Sequence, residues 1–309
     1  MASLLPSATE IVFALGLGDE LVGVTHECDW PPEALTRPVL TRSTHAMGGA
    51  SSRGIHELVS ASVHGGASLY QLDEDALEAA APDLILTQEL CAVCAVSYRE
   101  VNEVARAIDA DIRVISLEPT TIEGILHTIT TVGAMTEAED AAIELVESLR
   151  ERIVAVEERV LQRRDEGIEG PRVVGLEWLD PPFAVGHWVP EQVRSAGGWE
   201  LLGQEGGRSA ETTWEAVRDV DPDLLLLMPC GYHLESTLDE WRRVPRPPFW
   251  DELTAVREGR VVALDGSAYF SRPGPRVVDG IELLAGVFDP AAFGDAGPAG
   301  AWAPALAGR

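Results

Sequence analysis

The chain has 309 residues, 46% of them hydrophobic, which is enough for two ordinary domains with real cores. Its formal net charge of −28 argues against nucleic acid and against an anionic membrane surface as partners, because both need a basic footprint. No apolar run approaches the roughly eighteen residues of a transmembrane helix, so no transmembrane segment is expected.

The opening stretch "MASLLPSATEIVFALGLG" is apolar. It has neither a basic n-region nor a cleavage site, and no lipoprotein-type cysteine lies near the start. The chain as given therefore reads as cytoplasmic. The first half alternates buried strands at 21–24, 84–86 and 112–116 with helical stretches at 8–15, 74–81 and 98–108. Short apolar runs bounded by helices predict parallel strands covered on both faces. The glycines Gly16 and Gly18 end the first helix rather than forming a dinucleotide fingerprint. The Gly/Ser-rich segment 44–54 lacks the lysine of a phosphate loop and reads as a mobile loop.

Helical spacing continues over 122–135, and Thr136 with Glu139 has the pattern of a capping box. From 137 to about 164 the chain is rich in Ala, Glu, Leu and Arg without Gly or Pro, which predicts one helix of roughly 40 Å. "DEGIEGP" ends it. The second half restarts with a strand at 172–176, a helix at 190–196, a strand at 224–227, a helix at 234–241, a strand at 261–264 and a helix at 276–287. The Ala/Gly/Pro-rich tail from 289 to 309 reads as disordered. The expected division is an α/β lobe over 1–120, a helical linker over 121–170 that contains the long helix, and a second α/β lobe over 171–288.

The halves repeat one another. "LDEDALEAAAPDLIL" (72–86) and "TTWEAVRDVDPDLLL" (212–226) align without gaps, each a short helix, Pro-Asp and a buried strand. Asp75 and Glu215 hold equivalent places, seven residues before Pro82 and Pro222. The fold class expected is α/β, with two Rossmann-like lobes of parallel strands joined by one long backbone helix.

All four cysteines follow a strand-like run, and in open α/β sheets ligands bind at the carboxyl ends of strands. Cys91 and Cys94 have a chelate spacing, Cys28 with His26 supplies further ligands, and Cys230 belongs to the second lobe. Thiolate and imidazole suit zinc or an iron–sulfur cluster, and they also suit the cobalt of a corrinoid. A redox dithiol and plain buried thiols are the other readings. No Gly-x-Ser-x-Gly elbow is present, and no enzyme activity is expected.

"SLLPSATEIVFALGLGDELVGVTHECDWP" (3–31), "PDLILTQELCAVCAVS" (82–97), "LEWLDPPFAVGHWVPEQVRSAGG" (176–198) and "SAYFSRPGPRVVDGIELLA" (267–285) together resemble the cobalamin-binding branch of the class III substrate-binding proteins of ABC importers. The resemblance runs in order over roughly 3–288, although the best-known members carry an export signal and lack the cysteine set. It implies a monomer that holds a small-molecule corrinoid such as cobalamin between its lobes, without catalysis, and delivers it to an ABC permease outside the cytoplasm. Trp30, Trp178, Trp188, Tyr269 and Phe270 are the expected aromatic contacts, and Tyr269 aligns with an aromatic ligand contact of the family. Arg272 would meet ligand amides or carboxylates, as would Arg276. Asp75 and Glu215 match the acids that pair with permease arginines.

Overall fold

The computed structural model describes residues 1–44, 51–65, 70–88, 98–109, 111–294 and 300–305. The chain divides into two compact units, the first Met1–Ala50, Gly54–Pro119 and Gly124–Val146, the second Ser51–Arg53, Thr120–Glu123 and Glu147–Arg309.

In the first unit Leu84–Thr87 lies between Ala2–Ser3 and Arg113–Ser116, all parallel. Every residue of Leu84–Thr87 is buried, so both faces of the strand need cover. Leu77, Val101 and Ala105 pack on it from the helices Glu74–Ala80 and Tyr98–Ile108. The expected strand at 21–24 reduces to isolated bridges, Ala2 with Gly23 and Val24 with Val39. The strand beside Leu84–Thr87 is Ala2–Ser3, which the apolar N-terminal run had concealed.

The second unit has Arg172–Leu179 at its centre, with Leu224–Leu227 and Val261–Leu264 parallel beside it. Pro182–Ala184 and Ala210–Glu211 extend the other side antiparallel. Leu224–Leu227 is buried throughout, as its four leucines require. Behind it Trp241 and Trp250 are buried with ring centroids 5.3 Å apart, and Trp214 stands edge-on to Trp250 at 5.7 Å. The Arg246 guanidinium lies 3.5 Å from the Trp241 ring centre, and burial lowers its pKa to about 10.

The segment 121–170, expected as a linker, is shared between the units: Ile122–Met135 falls mostly in the first, and the 27-residue helix Glu139–Asp165 passes from the first into the second at Glu147. Within the second unit Arg152 reaches Asp279 and Glu282 at 2.6 Å, and Arg163 reaches Asp289 at 2.6 Å, binding the long helix to Val277–Phe288. The Thr136 hydroxyl donates back to the Val132 carbonyl at 2.8 Å, so it closes the preceding helix instead of capping the next. The tail expected to be disordered contributes the helical turn Pro290–Phe293 and the strand Trp302–Pro304, antiparallel to Val261–Leu264.

The repeat seen in sequence holds at the level of single hydrogen bonds. The Asp73 carboxylate accepts from the Ala76 N–H at 3.0 Å, and the Thr213 hydroxyl from the Ala216 N–H at 3.1 Å. The helices Glu74–Ala80 and Trp214–Val220 then end on left-handed residues, Ala81 at φ 45° and Asp221 at φ 40°. The second of these has a side-chain role: its carboxylate accepts from the Thr254 N–H at 2.8 Å and the Thr254 hydroxyl at 2.7 Å, which hold its pKa below the usual range. Ala81→Gly should therefore stabilise the protein by about 1 kcal/mol through relief of left-handed strain. Asp221→Gly should destabilise it by about 1–2 kcal/mol, because the lost hydrogen bonds outweigh the same relief. Urea denaturation of the two variants checks the opposite signs.

Candidate functional site

The first unit places Cys28 and Trp30 just after the segment that bridges to Ala2 and Val39. Cys28 is 3% exposed, with its sulfur 3.1 Å from the Thr9 hydroxyl and 3.2 Å from the Thr25 hydroxyl. Thr9 gives its one proton to the Ser3 hydroxyl at 2.8 Å, and Ser3 gives its own to the Leu5 carbonyl. The Cys28 sulfur thus sits in a chain of hydroxyls, within hydrogen-bond reach of two of them. A metal would need the thiolate. His26 is directed elsewhere, with Nδ1 2.8 Å from the Thr41 hydroxyl and its ring against Tyr70 at 5.1 Å. Cys91 and Cys94 lie outside the described residues, and Cys230 belongs to the second unit. Among the described residues no three of His, Cys, Asp and Glu converge as a metal site, and the expected cluster needs Cys91 and Cys94, which lie outside them. Trp30 is 45% exposed, a large aromatic face left open to solvent.

In the second unit the carboxyl ends of the strands carry the expected aromatics in three different states. Trp188 and Phe270 are buried, and the Trp188 indole N–H donates to the Phe270 carbonyl at 3.1 Å. Arg272 is also buried. Tyr269 is half-buried with the Arg276 guanidinium 5.8 Å from its ring centre, and Gln192 fixes its backbone by donating to the Tyr269 carbonyl at 3.0 Å. Trp178 is half-buried, stands edge-on to Tyr232 at 5.7 Å, and donates its indole N–H to the Ser52 carbonyl at 3.2 Å.

That last contact belongs to a seat that the sequence did not reveal. Ser52 is fully buried, and its N–H and hydroxyl both donate to Glu240 Oε1, at 2.6 and 2.5 Å. Arg53 adds a two-pronged pair to Asp180 at 2.5 and 3.1 Å. The end of the expected mobile loop is thus pinned, and it opens the helix Ser52–Gly65. Ser51–Ser52 before the spaced apolar residues Ile55, Leu58 and Val59 was the available signal.

Glu177, the one acid within Arg172–Leu179, was also missed. Burial pushes its carboxyl up to about 7, while the facing Ser209 hydroxyl and Gly186 N–H pull it back. The imidazole of His187 is shifted the other way, down, by burial and then by Arg208, which favours the neutral form. Asp75 and Glu215 are exposed in the first turns of their two equivalent helices.

Two α/β units of one plan, each with aromatic surface at the ends of its strands, make up a two-lobed solute-binding protein. Residues 1–268 match the family described as periplasmic binding protein, and the chain belongs to that family. It is 24% identical over 306 residues to an uncharacterized ABC transporter substrate-binding lipoprotein of Bacillus subtilis, covering 95% of this chain and 81% of that one. A cobalamin-binding protein of Halobacterium salinarum is 24% identical over 93% of this chain and 69% of its own length. Among solved structures, a periplasmic heme-binding protein from Pseudomonas aeruginosa superposes with a TM-score of 0.70 at 19% identity, covering 94% of this chain and 92% of that one, a likeness of fold alone. The family is one of binding proteins that serve ABC import, in keeping with a non-catalytic role. The cytoplasmic expectation has no support there, since the family is periplasmic by description and the Bacillus relative is a lipoprotein. Among the described residues no helix is long and apolar enough to cross a membrane.

The raised Glu177 carboxyl gives an unusual pH signature. Its native value of about 7 lies above the ordinary 4.5, so the folded state holds the proton more tightly, and stability falls as pH rises from 4.5 to 7. Glu177→Gln should remove this fall. The variant is expected to match the parent near pH 4 and to exceed it at pH 8 by up to about 3 kcal/mol. Urea titrations at the two pH values measure it, and an equal difference at both would mean that the carboxyl is not enclosed.

Proposed function

We propose that this binding protein carries a corrinoid of the cobalamin type. The observation that carries the reading is the match, over more than nine-tenths of the chain, to relatives named for cobalamin in Halobacterium salinarum and vitamin B12 in Vibrio cholerae. The chemistry agrees with it. A corrin is a broad, largely apolar disc fringed by amides, and it needs aromatic faces and neutral hydrogen-bonding groups. Trp30 in the first unit, and Trp178 and Tyr269 in the second, are the aromatic contacts of this proposal, with Arg276 beside Tyr269 for the amide fringe. Trp188, Phe270 and Arg272 stand behind them as packing.

Delivery follows from the two equivalent acids. Asp75 and Glu215 sit exposed on matching helix starts, where a permease arginine would meet each. The metal or iron–sulfur reading of the cysteines gains nothing from the hydrogen-bonded thiol of Cys28.

Isothermal titration of the purified protein with cyanocobalamin should give one site of about micromolar affinity or tighter. Tyr269→Ala should weaken it by about tenfold or more, the usual cost of a buried aromatic anchor. Absence of heat and of any spectral change across several corrinoids would sink the proposal. Reversal of Asp75 and Glu215 to lysine should leave that titration unchanged and abolish corrinoid uptake in cells that express the cognate permease.

A further inference from the structure

Three local irregularities meet at one point of the second unit. The first is in Arg172–Leu179 where it pairs with Pro182–Ala184. Leu176 opposes Ala184 and Trp178 opposes Phe183, so Glu177 is the extra residue of a β-bulge. Bulges re-aim side chains, and they gather beside functional sites. The second is His187 at φ 53°. The other left-handed non-glycine residues among those described, Ala81, Glu137 and Asp221, lie at helix ends or in the short turn between two helices. His187 instead sits in the loop after a strand, held by donating its N–H to the Gly207 carbonyl at 2.5 Å and by accepting from the Gly206 N–H at 2.8 Å. Strain of this kind, about 1 kcal/mol or more, persists where surrounding contacts over-determine it. The third is the closeness of the two loops: a Cβ on Gly186 would lie 2.3 Å from the Ser209 nitrogen.

The two loops therefore meet closely at the end of the central strand. The Ser209 hydroxyl is buried and faces the Glu177 carboxyl, which the Gly186 N–H also faces. His187 and Arg208 adjoin them on the two loops. A fold that only needed to fill this space would use apolar side chains, as the rest of the strand does. An acid and a hydroxyl side by side offer a donor and an acceptor at fixed positions.

We propose that Glu177 and Ser209 form the specificity subsite of this protein, pairing with the N–H and C=O of a neutral side-chain amide on the ligand and rejecting a carboxylate at the same place. The inference rests on the corrinoid reading and sharpens it, because amides fringe a corrin whereas carboxylates fringe a haem. An amide matches both groups. A ligand carboxylate has acceptors only, and above pH 7, where Glu177 is ionised, it brings a like charge against it.

The test uses two ligand pairs: cyanocobalamin against a cobalamin monocarboxylate made by mild hydrolysis of one side-chain amide, and haem dimethyl ester against haemin. Calorimetry with the parent protein at pH 8 should show the carboxylate form of a pair bound at least about tenfold more weakly. Glu177→Gln keeps a donor and an acceptor and removes the charge, so it should bring the two forms to within about threefold. Ser209→Ala should weaken the amide form alone, and thermal melting of both variants verifies that they fold. An undiminished preference in Glu177→Gln overturns the subsite while the corrinoid reading stands. Binding of the haem pair only, with the same discrimination lost in the variant, supports the subsite and overturns the corrinoid reading. Failure of all four probes to bind overturns both.

Discussion

Strands without a polar face set the terms for everything else in this chain. Leu84–Thr87 and Leu224–Leu227 are buried along their whole length, so each must have strands on both edges and helices on both faces. Polar chemistry cannot be placed in the middle of such strands without an unpaired group in an apolar interior. It is driven to their ends, and there the half-buried Tyr269, Trp178 and Glu177 and the exposed Trp30 are found. The same constraint explains why the repeat is so exact at the helix-to-strand turns. A left-handed residue after the helix, then Pro-Asp, is a short route from a covering helix into a fully buried strand, and both units take it.

Most of the fold was legible because its signals are local. Four leucines in a row gave Leu224–Leu227 to the residue, and helical spacing gave Ile122–Met135 to the residue. What misled was context. The apolar residues 21–24 have strand character, yet only two single bridges form, one of them to Ala2. Ser51–Arg53 looked like loop, since nothing local announces that Glu240, 188 positions on, will receive Ser52. The tail was low in complexity, but an edge strand needs only three residues whose backbone can pair with Val261–Leu264.

The site was legible in kind more than in detail. Spacing identified loops with aromatic and thiol side chains, but burial sorts them, and burial is a property of the assembled unit. Trp188 is buried with its indole N–H on the Phe270 carbonyl, and Trp178 gives its N–H to the chain's own backbone. Cys28 shows the limit most clearly, because the hydroxyls of Thr9 and Thr25 beside its sulfur are brought there only by the fold. Glu177 had a visible signal, a lone acid within an apolar strand, but its bulge and its enclosure come from loops ten and thirty residues further along.

The pinning of Ser52 by Glu240 also has a consequence in time. A ribosome releases the serine 188 residues before its acceptor, an interval of about ten to forty seconds at ordinary elongation rates. Throughout that interval the buried amide and hydroxyl of the finished protein are solvated, and the face formed by Trp178, Asp180 and Tyr232 does not yet exist. Seating of this segment must wait until the chain has passed Glu240. A fragment that began at the long helix would carry the seat without the segment that fills it.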